Sequence, residues 1–276
     1  MRVHVKFFAI FREFTQIKSE SVEISDGTTV ESLWRAYAAA HPRIAKLRAA
    51  YAVNQQLAKP DHVLREGDEI AFLPPVSGGA GRKSNRRGVK DAKRNIKSLR
   101  SLRSFGSARD GLRGDALVTR QPLDLNALYD RVAFPSAGAI LVFSGVVRDN
   151  AQGKSVKHLE YEAYPELAER TLRDIIAEIK ARWADARVAM AHRVGKLKIG
   201  EASLIIAVAA PHRPEAYAAS RYAIERVKAI LPVWKKEFWV DGEHWVEGPV
   251  AGELGAEKAE KIVAGAERAA NRVTSK

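Results

Sequence analysis

The stretch LREGDEIAFLPPVSGG, residues 64–79, decides the first half of the chain. An apolar, strand-like run at 69–73 gives way to Pro74-Pro75, which holds the backbone extended at low entropic cost. Ser77-Gly78-Gly79 follows, and its last two residues carry no side chain. Such a tail can thread a channel too narrow for any Cβ; the same composition also suits the start of a flexible linker. Upstream, Val3, Val5 and Phe7 alternate with Arg2, His4 and Lys6, and residues 21–25 show the same period of two, so a hairpin with one buried face is expected. Thr28 and Glu31 have capping-box spacing. Val30, Leu33, Trp34, Tyr37 and Ala38 then recur at helical intervals until His41-Pro42. With a further strand at 51–54, the order strand, strand, helix, strand, strand predicts an α+β unit over residues 1–79, a small sheet clasping one helix.

Downstream of Gly79 the composition changes. The chain has 276 residues and a formal charge of +13, from 46 Lys+Arg and 33 Asp+Glu. That excess is local: residues 1–79 hold 10 basic and 9 acidic residues, 80–113 hold 12 and 2, and 114–276 hold 24 and 22. The middle segment, rich in Gly, Ser, Lys and Arg, reads as a basic linker, within which Val89, Ala92, Ile96, Leu99 and Leu102 have the spacing of a short amphipathic helix. It offers no aromatic stacking platform, so no nucleic-acid partner is expected. The absence of cysteine excludes disulfides, a thiolate nucleophile, Cys-ligated zinc and iron–sulfur clusters, and suits a reducing compartment. No metal-ligand spacing occurs among the seven histidines. The longest apolar stretches, 139–147 and 202–210, are about half the roughly 18 residues of a membrane helix, and the alternating amino terminus lacks a signal core. A cytoplasmic protein without membrane association is expected.

The segment 114–276 is again α+β, with a core at about 120–250. A buried strand at 139–147 ends at Arg148-Asp149-Asn150. A second strand, 157–163, leads into Pro165 and a helix with Leu167, Leu172, Ile175, Ile176 and Ile179 on one face. Strands at 187–194 and 203–210 precede Pro211-His212-Arg213-Pro214, a helix to about residue 230, and a strand at 233–240 carrying Lys235. His212 and Arg213 stand at a helix amino terminus, where free N–H groups and the dipole favour an anion; a solvated surface turn is the alternative. Lys228 lies in the last helical turn, where a lysine also complements the dipole. From Pro214 to Lys228 is about 21 Å at 1.5 Å per residue. Cations so far apart serve one small substrate only if a second copy supplies half of them, so a dimer with shared sites is expected. His192, His244, Trp183 and Trp245 read as core or dimer packing, and 251–276 as a frayed terminal helix.

The motifs VKFFAIFRE, VNQQLA and LREGDEIAFLPPVSGG resemble the sulfur-carrier subunit of molybdopterin synthase, a ubiquitin-like β-grasp protein. FSGVVRDN, LEYEAYPELAE, AHRVGKLKIGEASLIIAV, APHRPEAY, VKAILPVWKKEFW and HWVEG, in that order, resemble its large catalytic subunit, a hammerhead-type α/β domain. The resemblance implies a fused sulfurtransferase. It would bind cyclic pyranopterin monophosphate and take two sulfurs from carrier thiocarboxylates, making the dithiolene of molybdopterin in molybdenum cofactor biosynthesis. It places substrate binding at Arg148, His212, Arg213 and Lys236 and catalysis at Lys228, Lys235 and Gly79, with no permanently bound cofactor. Gly79 matches the glycine that an E1-like enzyme adenylates and converts to a thiocarboxylate. Here it is followed by Ala80-Gly81-Arg82, so its carboxyl is free only after a protease cuts behind it. Arg148, His212 and Arg213 are expected to clamp the phosphate as its ring opens, and Lys228 or Lys235, crowded by other cations, to move protons near neutral pH. The alternative is an uncut chain whose first unit only docks or regulates while a separate carrier supplies sulfur.

Overall fold

The computed structural model describes residues 1–76, 115–151 and 153–246. Gly79, the basic helix expected near 89–102 and the terminal helix expected in 251–276 lie outside the described residues.

The first unit runs β1 (Arg2–Phe7), α1 (Ala9–Thr15), β2 (Ser19–Glu23), α2 (Val30–Ala40), β3 (Ala50–Val53), β4 (Gln56–Ala58) and β5 (Glu69–Leu73). Its sheet has the order β2-β1-β5-β3-β4, with β1 and β5 parallel at the centre, Val5 opposite Ile70. α2 lays Val30, Leu33 and Trp34 on Val3, Val5, Phe7, Ile70 and Phe72. This is the β-grasp arrangement. The cap of α2 differs by one residue from the expected Thr28 and Glu31. Thr29 accepts from the Ser32 N–H at 3.2 Å while Ser32 Oγ accepts from the Thr29 N–H at 2.9 Å, and Thr28 instead bonds the Ser25 carbonyl. The sequence pattern also passed over α1. Phe11 anchors that helix in the core, while Arg12 and Glu13 face outward.

The second unit runs β6 (Ala116–Thr119), α3 (Leu125–Val132), β7 (Ala139–Val146), β8 (Asn150–Ala151), β9 (Lys154–Ala163), α4 (Pro165–Arg182), β10 (Arg187–Arg193), β11 (Gly195–Lys198), β12 (Ala202–Ala210), α5 (Arg213–Ile230), β13 (Val233–Trp239) and β14 (Gly242–Trp245). One sheet is ordered β6-β10-β12-β7; a second is ordered β11-β9-β13-β14, with β8 on β9. α4 and α5 cover one face of the first sheet, packing Leu172, Ile175, Ala219 and Ala223 against Val188, Met190, Ile206 and Val208. α3 covers the other face with Leu128 and Val132 against Ala191, Ile205 and Ala207. Burial on both faces is why β12 reads as an unbroken apolar run. Glu178 of α4 ties the two helices together, accepting from Arg226 Nε at 2.8 Å and Nη2 at 2.7 Å and from the Tyr222 hydroxyl. Among the described residues no helix is long and apolar enough to cross a membrane.

His192 on β10 is buried, as expected, with Nδ1 2.9 Å from the Arg193 carbonyl. Burial pushes its pKa down to about 4, only partly offset by that hydrogen bond. The unfolded chain then binds this proton from about pH 6.5 downward and the folded chain only near pH 4, so the associated stability falls as pH drops through that window. Urea unfolding at pH 7 and pH 4.5 should therefore show an acid loss of about 2–3 kcal/mol that His192→Asn removes; an unchanged pH dependence in the variant contradicts this assignment.

Candidate active site

β13 divides the second unit's functional residues, because alternate side chains leave a strand on opposite faces. Trp234 and Lys236 point toward the first unit; Lys235 and Glu237 point the other way. On the first face, the Trp234 indole N–H donates to the Pro74 carbonyl at 2.9 Å. Phe8 stacks between Tyr164 and Trp234, with ring centroids at 5.0 and 5.4 Å. Leu73, Val76, Tyr164, Leu167 and Trp234 are buried together, so the Pro-Pro tail lies seated against the second unit. α1, absent from the sequence reading, is the docking helix. Ala9 takes a left-handed φ of 47° and its N–H donates to Glu162 at 3.2 Å, while Arg12 pairs with the other Glu162 oxygen at 2.7 Å. Glu13 accepts from Lys236 at 3.0 Å and from the Trp245 indole at 2.8 Å. Burial raises the Glu13 carboxyl, but the hydrogen bonds from Trp245 and Lys236 and the charges of Lys236 and Arg43 outweigh it and leave it below the usual range. Glu162 goes the other way, raised by burial against the opposing Arg12 charge. The Tyr164 hydroxyl completes the contact on Glu69, which Lys6 also holds at 2.6 Å.

On the second face Lys235 stands opposite Tyr161 of β9 and pairs with Glu237 at 2.9 Å. Glu237 is only 5% exposed and also accepts from the Trp239 indole at 3.2 Å. The near neighbour of Lys235 is thus a carboxylate, where a second cation was expected. Glu237 was missed by sequence reasoning, although a Lys-x-Glu spacing on a strand puts both groups on one face. The Tyr161 hydroxyl, raised by burial and opposed by a hydrogen bond with Ser203, lies beside His192 with ring centroids 5.2 Å apart. Ser203 Oγ donates to the Gly145 carbonyl at 3.1 Å, which places this cluster at the β12 amino-terminal end of the first sheet.

The remaining cations are sorted by topology. His212 is the N-cap of α5 and Arg213 its first residue, both exposed; Lys228 is in its last turn. α5 is one unbroken helix, so His212 and Lys228 are about 24 Å apart along its axis. α5 runs back over β12 and β7, which brings Lys228 to the end of the sheet where Arg148, exposed, follows β7 through Val147. Arg148, Lys228 and Lys235 therefore gather at one end, while His212 and Arg213 sit at the other. Lys236 joins neither group, being held by Glu13 and Glu243 on the docking face. Trp245 packs against the core cluster shared with the first unit and donates to Glu13, and His244 is exposed and stacked on Trp239.

Two family models match the chain: the ThiS family over residues 5–79 and the MoaE protein over residues 118–230. The molybdopterin synthase catalytic subunit of Halalkalibacterium halodurans is 51% identical over 129 residues, which are 47% of this chain and 83% of that protein. The chain belongs to the molybdopterin synthase catalytic subunit family. The Bacillus subtilis catalytic subunit is 48% identical, over 47% of this chain and 82% of its own length. The crystal structure of molybdopterin synthase from Staphylococcus aureus aligns at 39% identity and a TM-score of 0.48, covering 49% of this chain and 98% of that one. This family member is a fusion, with a ThiS-family domain preceding the catalytic domain in one chain.

Glu13 and Lys236 form the most readily tested contact between these domains. Glu13→Lys should loosen the docking and raise the radius of gyration in small-angle scattering, and Glu13→Lys with Lys236→Glu should restore compactness. Equal expansion in the single and double variants would remove this pair from the interface.

Proposed function

We propose that this enzyme of molybdopterin biosynthesis is a self-supplied synthase: its first domain, cut after Gly79, carries sulfur as a glycine thiocarboxylate to cyclic pyranopterin monophosphate bound by the second. The observation that carries this reading is the seating of the tail. Trp234 holds the Pro74 carbonyl and Val76 is buried beside Tyr164 and Leu167. Three further residues extend the reach by at most ~10 Å beyond Val76. The thiocarboxylate sulfur adds to an electrophilic carbon of the pterin precursor, and the carbon–oxygen bond broken there leaves its electron pair on oxygen, which is protonated and departs as water or stays on the opened phosphate. Water then cleaves the acyl–sulfur bond, leaving the sulfur on the pterin and Gly79 as a carboxylate. A second carrier supplies the second sulfur.

In this reading Arg148, His212 and Arg213 neutralise the phosphate as its ring opens, preorganised by the sheet end and the α5 amino terminus. Lys228 and Lys235 move protons during sulfur addition and loss of water, with Glu237 orienting Lys235. Lys236, first read as substrate-binding, serves the docked carrier. The separation of the two cation groups supports a homodimer in which each site takes Arg148, Lys228 and Lys235 from one copy and His212 and Arg213 from the other. Val142 and Val146 on the edge strand β7, 38% and 51% exposed, provide apolar surface for that second copy. An E1-like enzyme and a protease complete the partners; no resident cofactor is required, and the setting is the cytoplasm. One observation favours a second reading, in which the uncut first domain only docks: its contacts with the catalytic domain are complete in the continuous chain.

Lys228→Ala and His212→Ala should each reduce conversion of cyclic pyranopterin monophosphate to background with circular dichroism unchanged. Co-expression of the two variants should restore about a quarter of wild-type activity, because a mixed dimer keeps one intact shared site. Activity in either single variant removes that residue from the mechanism, and no recovery on mixing contradicts sharing.

A further inference from the structure

The corner that carries His212 and Arg213 is fixed by a contact with no side chain in it. Gly138 immediately precedes β7, whose first residue, Ala139, pairs with Ala210 at the end of β12. The Gly138 N–H donates to the Pro211 carbonyl at 3.2 Å. A Cβ on Gly138 would stand 2.3 Å from that carbonyl oxygen, well inside the 3.0 Å that real Cβ atoms essentially never breach, and 3.4 Å from its carbon. Here the obstacle is backbone, which cannot swing aside as a side-chain tip can. Pro211 is followed directly by the N-cap His212, whose carbonyl accepts the Ala216 N–H at 3.3 Å, and by Arg213. Whatever shifts the Pro211 carbonyl shifts both cations.

We propose that Gly138 is a positioning residue for the anion-binding corner: by leaving room for the Pro211 carbonyl, it sets the direction in which His212 and Arg213 meet the substrate phosphate. The inference rests on the reading of His212 and Arg213 as phosphate ligands. Gly145, on the same strand pair, provides a matched control. A Cβ there meets only ordinary contacts, at 3.5–3.8 Å, and lies at the opposite end of β7 from Pro211.

The test is equilibrium binding of cyclic pyranopterin monophosphate to the full chain, with thermal midpoints measured alongside. Losing one hydrogen bond to a charged group weakens binding by roughly ten- to a hundredfold. Gly138→Ala should therefore weaken binding at least about tenfold, and Gly145→Ala less than about twofold. The triple variant Gly138→Ala/His212→Ala/Arg213→Ala should bind no more weakly than His212→Ala/Arg213→Ala, since Gly138 acts only through those two side chains. A role confined to folding would lower the thermal midpoint but leave the affinity of the folded protein intact, and that result overturns the proposal. So does full additivity in the triple variant. If Arg213→Ala and His212→Ala both bind normally, the phosphate reading falls and the proposal with it; if they bind weakly and Gly138→Ala binds normally, only the proposal falls. Should Gly138→Ala not fold, Pro211→Gly frees the same corner without adding an atom. A loss of affinity in that variant supports the assignment and unchanged affinity overturns it.

Discussion

The hydrogen bond from the Trp234 indole to the Pro74 carbonyl is the constraint on which the two-domain arrangement turns. It is buried, it joins residues 160 positions apart, and it fixes the Pro-Pro stretch after β5, which has no secondary structure of its own. Aromatic stacking on Phe8 and the opposed pairs Arg12–Glu162 and Glu13–Lys236 surround it. Consecutive α1 residues of opposite charge meet opposite charges on the catalytic domain, which sets register more than strength, since such pairs at partly exposed positions contribute little net stability. The geometric result is a tail held in one direction, with the strand β13 between the docking face and Lys235.

The same strand explains why neighbouring lysines have different work. Lys235 and Lys236 are adjacent in sequence and on opposite sides of a sheet. One is paired with a buried carboxylate beside Tyr161, and the other is engaged by the carrier domain. Helix α5 performs the equivalent separation along its axis, setting His212 and Arg213 at one end and Lys228 at the other. In the proposed shared-site reading a monomer presents two half-sites, and the exposed edge strand β7 is the surface assigned to the second copy.

The parts of this arrangement written in local pattern were legible in the sequence. α2, α4 and α5 have three or more turns of apolar periodicity, and β12 has the continuous run of a strand buried on both faces. The length of α5 alone separates His212 from Lys228, which is the ground of the proposed shared-site dimer. What the sequence hid was decided by tertiary contact. α1 has seven residues, no side-chain cap and a left-handed first residue, so nothing local marks it as a helix, yet its Ala9, Arg12 and Glu13 all bond to the second domain. The edge strands β4, β11 and β14 are three or four residues long, too short for alternation to register. Glu237 was overlooked because a buried carboxylate looks like any charged strand residue until its partner is seen. The Pro-Pro-Val tail was recognised as extended, but its partner, Trp234, lies on the far side of the linker and could not be inferred.

The central claim is that the first domain is a sulfur donor made by cleavage of this chain, and intact mass spectrometry of the protein purified from its own host tests it most directly. The account predicts a fragment ending at Gly79, part of it about 16 Da heavier as the thiocarboxylate. Full-length protein alone, with no such fragment in cells actively making molybdopterin, would contradict it and make the first domain a docking module fed by a separate carrier.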